Sequence, residues 1–314
     1  MIKDLKKNKF LIAIIIVVAF IYFFDNELYN ELKTAVISNS NEEKIEIQSD
    51  KIIEDELLSP LRVYFLDVGQ ADSVLIEFNN EYMLIDAGNN EDGEKLVKYF
   101  KSLGIKKFKY LVGTHAHEDH IGGMDDIINN FDSEIFYMPE VVTSTKTFED
   151  VLDALDKNSM YFDTPKIGES FILGDSSVEV IYLSKDDSNL NNSSIVLRLV
   201  YNDVSFLFTG DAEVAVEKEI LNSNVKINST VLKAGHHGSS TSNSSAFLKK
   251  VNPSYVVISS GKENSYGHPH KEVINRLSKN NIKIYRTDNL GTIIASSNGK
   301  HISFTSAITD TDGE

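Results

Sequence analysis

The stretch Leu111-Val-Gly-Thr-His-Ala-His-Glu-Asp-His-Ile-Gly-Gly123 joins an apolar strand to a dense group of potential metal ligands. Residues two apart in an extended strand share a face, so His115 and His117 can point into one pocket. Asp119 and His120 follow where the chain turns. Three of the eight histidines lie within these few residues, so we interpret them as a metal-binding segment rather than a polar loop that happens to contain histidine. Imidazoles and a carboxylate at close range suit a divalent transition metal, and this number of ligands suits two ions.

Length and composition limit the possible functions. The chain has 314 residues, enough for one large α/β domain with a short appendage. Its net charge of −16 argues against a stable, sequence-independent nucleic-acid-binding surface. It does not exclude a metal-dependent phosphodiesterase, because bound metal ions supply local positive charge. Cysteine is absent, so any metal must be held by His, Asp and Glu.

The N-terminal region has the pattern of a membrane anchor. Residues 1–9 contain four lysines, and residues 10–24 are an uninterrupted apolar run. We therefore predict that residues 1–24 are a basic cytoplasmic flank and a single transmembrane helix, with the rest of the chain outside the cell. A cleaved signal peptide is the alternative, although no small-x-small cleavage site follows the apolar run. Residues 25–60 are interpreted as an acidic spacer.

From residue 61 to residue 305, short β-rich runs alternate with amphipathic helical segments, which predicts a layered α/β domain. Residues 306–314 are interpreted as a C-terminal tail. Polar side chains repeatedly follow the predicted strands, at the sheet edge where α/β proteins bind ligands. Seven of the eight histidines lie in three of these loops. The loops contribute Asp86, the His115–His120 segment, Asp211, His236 with His237, and His268 with His270.

Four motifs, in this order along the chain, carry a family resemblance. The sequence resembles the metallo-β-lactamase fold superfamily and, more closely, the extracellular C-terminal domain of ComEC-type DNA-uptake proteins. This resemblance implies an αβ/βα four-layer sandwich with metal ions at the sheet edges. The motifs are Phe65-Leu-Asp67-Val-Gly69-Gln-Ala-Asp72, His115-Ala-His117-Glu-Asp119-His120, Thr209-Gly-Asp211 and Leu232-Lys-Ala-Gly-His236-His237.

The resemblance also implies two divalent metal ions, either Zn²⁺ or Mn²⁺. His115 and His117 would bind the first ion, and Asp211 would bridge the pair. The second ion would be held by Asp119, His120 and His237; His236 is the other candidate for the last position, and we prefer His237. In many superfamily members a further histidine completes the first site, but here the corresponding segment, residues 191–194, contains none.

The expected function is that of a membrane-anchored, extracytoplasmic metal-dependent hydrolase, most closely a phosphodiesterase or nuclease, with a phosphodiester such as DNA as its substrate. Besides the metal ligands, we assign catalytic roles to Asp119, His236 and His268; a rigid surface loop is the alternative for His268. Asp67 and Asp86 are expected to orient ligating imidazoles, and Asp72 either caps a turn or joins them beside the ligands. Two other functions remain open: a phosphoesterase acting on a cell-wall or choline-bearing phosphodiester, and a binding protein with a vestigial site. A β-lactam hydrolase is disfavoured because the three-histidine first site is incomplete.

Overall fold

Two mixed β-sheets face each other in the part of the chain that the structure, a computed structural model, describes: residues 59–141, 143–184 and 188–307. The predicted anchor at residues 10–24 lies outside the described residues, as does almost all of the predicted spacer. No helix within the described ranges is both long enough and apolar enough to cross a membrane.

The first sheet contains seven strands in the order β14-β13-β1-β2-β3-β4-β5. Its strands are antiparallel from β14 to β3, whereas β3, β4 and β5 run parallel. The parallel strands end at one edge, so the residues after β3 and β4 become neighbours. The strands are β1 (Leu61–Phe65), β2 (Val74–Phe78), β3 (Glu81–Ile85), β4 (Lys107–Val112), β5 (Asp132–Tyr137), β13 (Thr292–Ser297) and β14 (Ile302–Ala307).

The second sheet repeats this arrangement, with the order β12-β11-β10-β9-β8-β7-β6. Here β9 to β12 run parallel, and the remaining pairs are antiparallel. The loops that follow β9, β10 and β11 therefore converge at one edge. The strands are β6 (Ser170–Leu173), β7 (Ser176–Tyr182), β8 (Val196–Tyr201), β9 (Val204–Phe208), β10 (Val231–Lys233), β11 (Tyr255–Ile258) and β12 (Lys283–Arg286).

Helices cover the outer face of each sheet. Those packed on the first sheet are α1 (Gly93–Ser102), α2 (Glu118–Ile121), α3 (Met124–Asn130) and α4 (Lys146–Lys157). Those packed on the second are α5 (Val214–Asn222), α6 (Ser245–Val251) and α7 (Lys271–Lys279), while α8 (Thr287–Leu290) joins β12 to β13.

Successive side chains of a strand point to opposite faces of the sheet, so apolar residues fill both the space between the sheets and the space beneath the helices. Phe65 in β1 points into the inter-sheet core, where its ring lies 6.4 Å from that of Phe208 in β9. Its neighbour Tyr64 faces the helices instead, as the two-residue period of a strand requires. One apolar cluster thus fills the space between the sheets, and one lies beneath each helical layer. The predicted αβ/βα four-layer sandwich is confirmed.

Candidate metal centre

The histidine-rich loop after β4 is packed tightly against the loop after β3. Ala87 N–H donates to the carbonyl oxygen of His120 at 2.7 Å, and Gly122 N–H donates to that of Gly88 at 2.9 Å. A Cβ at residue 122 would lie 2.2 Å from the backbone carbonyl carbon of Asn89, so only glycine fits there. The loop between His117 and Gly122 is therefore held in place by its backbone.

Four side chains meet where the two sheets' edges come together. Nε2 of His120 lies 3.3 Å from Oδ1 of Asp211, and Nε2 of His237 lies 3.2 Å from Oδ2 of Asp119. All four candidate ligand atoms lie within 4.8 Å of one another. Asp119 and His120 come from the first sheet's loops, and Asp211 and His237 from the second's. This four-residue cluster is the set that sequence analysis assigns to the second ion and the bridge.

The cluster contains buried polar atoms that make no hydrogen bond. Nε2 of His120 and Oδ1 of Asp211 are both of this kind. The opposite ring nitrogen of His120, Nδ1, lies 2.8 Å from Oδ2 of Asp86. Thr114 donates its backbone N–H to Oδ1 of the same carboxylate and its hydroxyl to Oδ2. An imidazole anchored by a carboxylate on one side presents its other nitrogen to a metal ion. Two imidazoles and two carboxylates therefore fit a divalent transition metal.

The electrostatics of the cluster favour a positive charge. Burial lowers the pKa of His120, but the carboxylates of Asp211, Asp86 and Asp119 raise it well above its usual value. The same balance, with Asp211 and Asp72 as the principal carboxylates, raises the pKa of His237 to about 9. Burial opposes ionisation of Asp211, yet His120 and His237 hold its pKa well below the usual range. A metal ion would replace the protons that these groups attract.

His115 and His117 form a separate pair beside the four-residue cluster. Nε2 of His115 lies 3.0 Å from Nδ1 of His117, and the His115 ring centroid lies 4.1 Å from that of His120. Burial, reinforced by the neighbouring His120, lowers the pKa of His115 well below its usual value. His117 is half-buried. The pair can offer two imidazoles to the predicted first ion, although neither side chain belongs to the four-residue cluster.

The segment that lacks the expected third histidine has another function in the fold. Ser194 Oγ accepts a hydrogen bond from Asp211 N–H at 3.0 Å and donates to the carbonyl oxygen of Asn191 at 2.7 Å. It also lies 3.3 Å from Nδ1 of His115. The segment therefore holds the backbone of Asp211 and contacts His115 without adding an imidazole.

The two adjacent histidines after β10 face different surroundings. His237 is buried inside the four-residue cluster, with its Nδ1 lying 3.1 Å from the carbonyl oxygen of Ser259. His236 is partly exposed, and its Nε2 lies 3.5 Å from Oδ2 of Asp211. Both adopt positive φ, 51° and 52°, which turns their side chains in different directions. The structure brings His237 into the cluster and leaves His236 at its side.

His268 lies on the wall of a cavity of about 800 Å³ above the cluster. Its Nδ1 is 3.3 Å from Nε2 of Gln70, whose Oε1 accepts a hydrogen bond from Gly261 N–H at 3.1 Å. Because this bond fixes the orientation of the Gln70 amide, Nδ1 of His268 is the acceptor and its Nε2 carries the hydrogen. Burial and the neighbouring His237 and His236 lower the pKa of His268 to about 4.

Of the three aspartates considered for roles around the ligands, Asp67 differs from expectation. Asp86 contacts His120 as predicted. Asp67 is exposed, and its carboxylate accepts a hydrogen bond from Gly69 N–H at 3.3 Å, so it stabilises a turn and contacts no imidazole. Asp72 is instead the buried carboxylate beside the cluster, 3.3 Å from Nδ1 of His237.

Sequence reasoning overlooked three side chains around the site. Lys233 is buried and pairs with Asp72; a lysine inside the apolar run Val231-Leu-Lys-Ala234 was a readable signal. Gln70 fixes the tautomer of His268, and nothing in its local sequence indicates this. Tyr266 is 68% exposed at the cavity, with its ring centroid 5.7 Å from that of His268 and the two planes at 20°.

Comparison with known proteins agrees with this fold. The model of the metallo-beta-lactamase superfamily matches residues 66–262. ComE operon protein 3 of Bacillus subtilis is 32% identical over 256 residues, which is 76% of this chain and 33% of that protein. Competence protein ComA of Neisseria gonorrhoeae is 31% identical over 230 residues, 72% of this chain and 31% of that protein. The chain thus spans about a third of the length of these curated relatives.

Among solved structures, the metallo-beta-lactamase fold protein YhfI from Bacillus subtilis aligns with a TM-score of 0.48 at 10% identity, covering 72% of this chain and 96% of that one. The family model, which matches well over half of the described residues, and the two sequence relatives carry the assignment. This chain belongs to the metallo-β-lactamase superfamily, whose members are generally metal-dependent hydrolases, and its relatives include competence proteins of the ComEC type.

Proposed function

We propose that this protein is a metal-dependent phosphodiesterase that acts on nucleic acid strands outside the cell and is anchored by residues 10–24. The observation that carries the proposal is the buried four-residue cluster on the floor of an open cavity. Two of its ligand atoms, His120 Nε2 and Asp211 Oδ1, are buried, make no hydrogen bond and lie 3.3 Å apart, so a divalent ion bound between them would satisfy both.

In this proposal Asp119, His120 and His237 would hold one divalent ion, Zn²⁺ or Mn²⁺. His115 and His117 would hold a second, and Asp211 would be available as a ligand to both. When bound, the ions supply Lewis-acid stabilisation of charge on the phosphate oxygens and make water more acidic. Asp86 keeps His120 oriented from behind through the 2.8 Å contact with Nδ1.

His268 has the geometry of a hydrogen-bond donor to the substrate. Gln70 donates to Nδ1, so the hydrogen on Nε2 is available to a phosphate or leaving-group oxygen in the cavity. Because its pKa is lowered to about 4, the ring is neutral near pH 7. It therefore stabilises a developing negative charge by hydrogen bonding. His236, beside Asp211, is the second candidate for contact with the reacting oxygens.

The cavity wall favours a diester over a phosphate monoester. Within the described residues, its lining includes the neutral amides of Gln70, Asn89 and Asn191 and the carboxylates of Glu91 and Glu118, but no Lys or Arg. Dianionic monoesters and polyphosphates are usually held by Arg or Lys. A diester carries one negative charge per phosphate, so the ions at the floor of the cavity can neutralise it without such a clamp.

Tyr266 supports a nucleic acid as the substrate. An exposed aromatic ring at the mouth of a hydrolytic cavity can stack on an unpaired base, and such stacking tolerates any sequence. The net charge of −16 disfavours extensive contact with a duplex. A single strand or a strand end, which presents unpaired bases, is therefore the form of nucleic acid that this cavity fits.

The proposal is tested with the purified full chain loaded with Zn²⁺ or Mn²⁺. The panel contains a single-stranded oligonucleotide, its duplex, bis(p-nitrophenyl) phosphate and the monoester p-nitrophenyl phosphate. We expect cleavage of the diesters, with the single strand preferred to the duplex and the monoester hydrolysed slowest. Failure to cleave any diester with either metal would overturn the proposal. Cleavage of the small diester but of neither nucleic acid would favour a phosphodiester of another polymer, such as a cell-wall component.

A further inference from the structure

Lys233 is a buried lysine at the carboxyl end of β10. Its side chain is 2% exposed, and its ammonium group contacts the carboxylate of Asp72, from the loop between β1 and β2. Lysine is the most costly of side chains to bury without a partner, so its presence in an otherwise apolar three-residue strand needs a reason. The contact links the two sheets directly behind the four-residue cluster.

Asp72 is fixed in place by its backbone. Its N–H donates to the carbonyl oxygen of Asp119 at 2.9 Å, and its own carbonyl accepts from Gly88 N–H at 2.9 Å. Its Oδ1 atom is buried and lies 3.3 Å from Nδ1 of His237. The carboxylate therefore has Lys233 on one oxygen and a candidate metal ligand on the other.

The orientation of His237 follows from these neighbours. Its Nδ1 lies 3.1 Å from the carbonyl oxygen of Ser259, which accepts its hydrogen, and 3.3 Å from Oδ1 of Asp72, which makes no hydrogen bond but attracts the ring as an ion-pair partner. With the Nδ1 hydrogen engaged in this way, Nε2 is the nitrogen that faces Asp119 and Asp211 and would be available to a metal. The acceptors behind a ligating imidazole determine which of its nitrogens is available to a metal.

Without Lys233, Asp72 would be an unpaired carboxylate at the back of the site. Asp72, Asp86 and His120 already form a second group whose ligand atoms lie within 4.8 Å of one another. The Lys233 ammonium group contacts Asp72 there, and Asp86 is engaged by Nδ1 of His120 at 2.8 Å. Asp72 is thus held behind His237 by Lys233 and is not left to compete for the metal.

We propose that Lys233 is a positioning residue of the metal centre, which acts through Asp72 to hold His237 with Nε2 facing Asp119 and Asp211. This inference rests on the metal centre of the proposed function but not on its substrate. The competing explanation is that the Lys233–Asp72 pair only joins the two sheets. The two explanations differ in what happens to metal affinity when both charges are removed together.

The test uses the full chain and four variants: Lys233→Met, Asp72→Asn, the double variant that combines them, and Lys109→Met. The last is a matched control, because Lys109 pairs with Glu81 at 2.6 Å between β3 and β4, away from the cluster. Three quantities are measured: the melting temperature of the metal-free protein, the zinc affinity by competition with a chelating dye, and the His237 ring signals in ¹H–¹⁵N spectra of the zinc-loaded protein.

A positioning role predicts that Lys233→Met lowers both the melting temperature and the zinc affinity, the latter by about tenfold or more, as loss of a partner behind a metal ligand usually does. In the double variant no lone buried charge remains, so the melting temperature recovers. Its zinc affinity stays about tenfold or more below that of the unmodified chain, and its His237 signals are shifted. Lys109→Met retains normal affinity and normal His237 signals.

Normal zinc affinity and unshifted His237 signals in Asp72→Asn and in the double variant would overturn the inference in favour of a simple link between sheets. These two variants decide the matter even when Lys233→Met fails to fold. An unmodified chain that binds zinc but cleaves no phosphodiester would overturn only the proposed activity. An unmodified chain that binds no zinc would overturn the metal centre and this inference together.

Discussion

The two sides of the candidate centre differ in how firmly their ligands are held. On one side, the four-residue cluster is fixed from behind: Nδ1 of His120 contacts Asp86 at 2.8 Å and Nδ1 of His237 contacts the carbonyl oxygen of Ser259 at 3.1 Å. On the other side, His115 and His117 lie with their ring nitrogens 3.0 Å apart, and His117 is half-exposed. The loop after β4 therefore supplies candidate ligands both to a cluster whose imidazoles are held by neighbouring groups and to a pair that is less firmly held.

This difference indicates that the two predicted ions bind unequally. Partners that orient a ligand in advance reduce the cost of assembling the site, so the four-residue cluster should bind its ion more tightly. The His115–His117 pair has only two imidazoles, and the nearby Ser194 hydroxyl contacts Nδ1 of His115 and is engaged with the backbone. The predictions below test this inequality, from the largest expected effect to the smallest.

The largest effect is expected from Asp211→Ala, because Asp211 is the carboxylate between the two sides. Turnover should fall by about three orders of magnitude, the upper range for loss of one charge-stabilising group. The fold should persist, because Ser194 contacts the backbone N–H of Asp211 and not its side chain. Initial rates and circular dichroism measure the two effects.

Asp203→Ala, at an exposed position in the turn between β8 and β9, is the matched control for Asp211→Ala and should have normal activity. Retention of turnover in Asp211→Ala would show that the two sides do not share this carboxylate.

Metal removal should show that the two sides of the centre bind zinc with different affinities. Titration of the chain with a chelator is expected to remove one equivalent of zinc readily and the second only at higher chelator concentration. His117→Ala should lose the weakly held ion and keep the tight one, whereas His237→Ala should lose the tight ion. Elemental analysis after dialysis measures the content. Equal affinities for both ions, or loss of the tight ion in His117→Ala, would contradict the comparison.

Asp86→Asn should lower the affinity for the tightly bound ion about 10- to 100-fold, because it replaces the carboxylate behind His120 with a neutral amide. Asp67→Asn is its control. Sequence analysis gives these two aspartates the same role, yet Asp67 is exposed and its carboxylate accepts a hydrogen bond from Gly69 N–H in a turn. Competition with a chelating dye should therefore show lower zinc affinity for Asp86→Asn and unchanged zinc affinity for Asp67→Asn. A similar loss in both would mean that Asp67 contributes to the centre after all.

The smallest effect concerns the cavity mouth, where neither side of the centre is touched. Tyr266→Ala should raise KM about tenfold for a dinucleotide and leave KM unchanged for an analogue that lacks the base, since stacking on an aromatic ring contributes about 1–3 kcal/mol per base. Tyr266→Phe keeps the ring and should behave normally. Steady-state kinetics on both substrates measure this. An equal rise in KM for both would exclude base stacking.

Much of this site could be predicted from sequence because its chemistry is concentrated in short motifs. His115, His117, Asp119 and His120 lie within one loop, and the structure places His237 and Asp211 with the latter two. The layered fold was also predictable, since most strands are short apolar runs bounded by turns. What local sequence conveys is residue type and periodicity, and both were informative here.

The remaining features depend on contacts between distant parts of the chain. β5 has the pattern Asp-Ser-Glu before its apolar residues, and its outer half is largely exposed because it is an edge strand. β13 pairs with β1 from the opposite end of the domain, so the hairpin Thr292–Ala307 gave no local sign of closing the first sheet. The Lys233–Asp72 pair joins residues from different sheets and follows from the fold alone.

The cluster draws two ligands from each sheet's loops, which has a consequence for how the domain comes apart. Neither half of the domain contains the complete four-residue cluster, so an ion bound there would link the two halves. Its binding energy is available only when both halves are folded and packed against each other. Loading the metal should therefore slow amide hydrogen exchange in both sheets together, including strands remote from the centre, and should merge any separate opening of the two halves into one cooperative event.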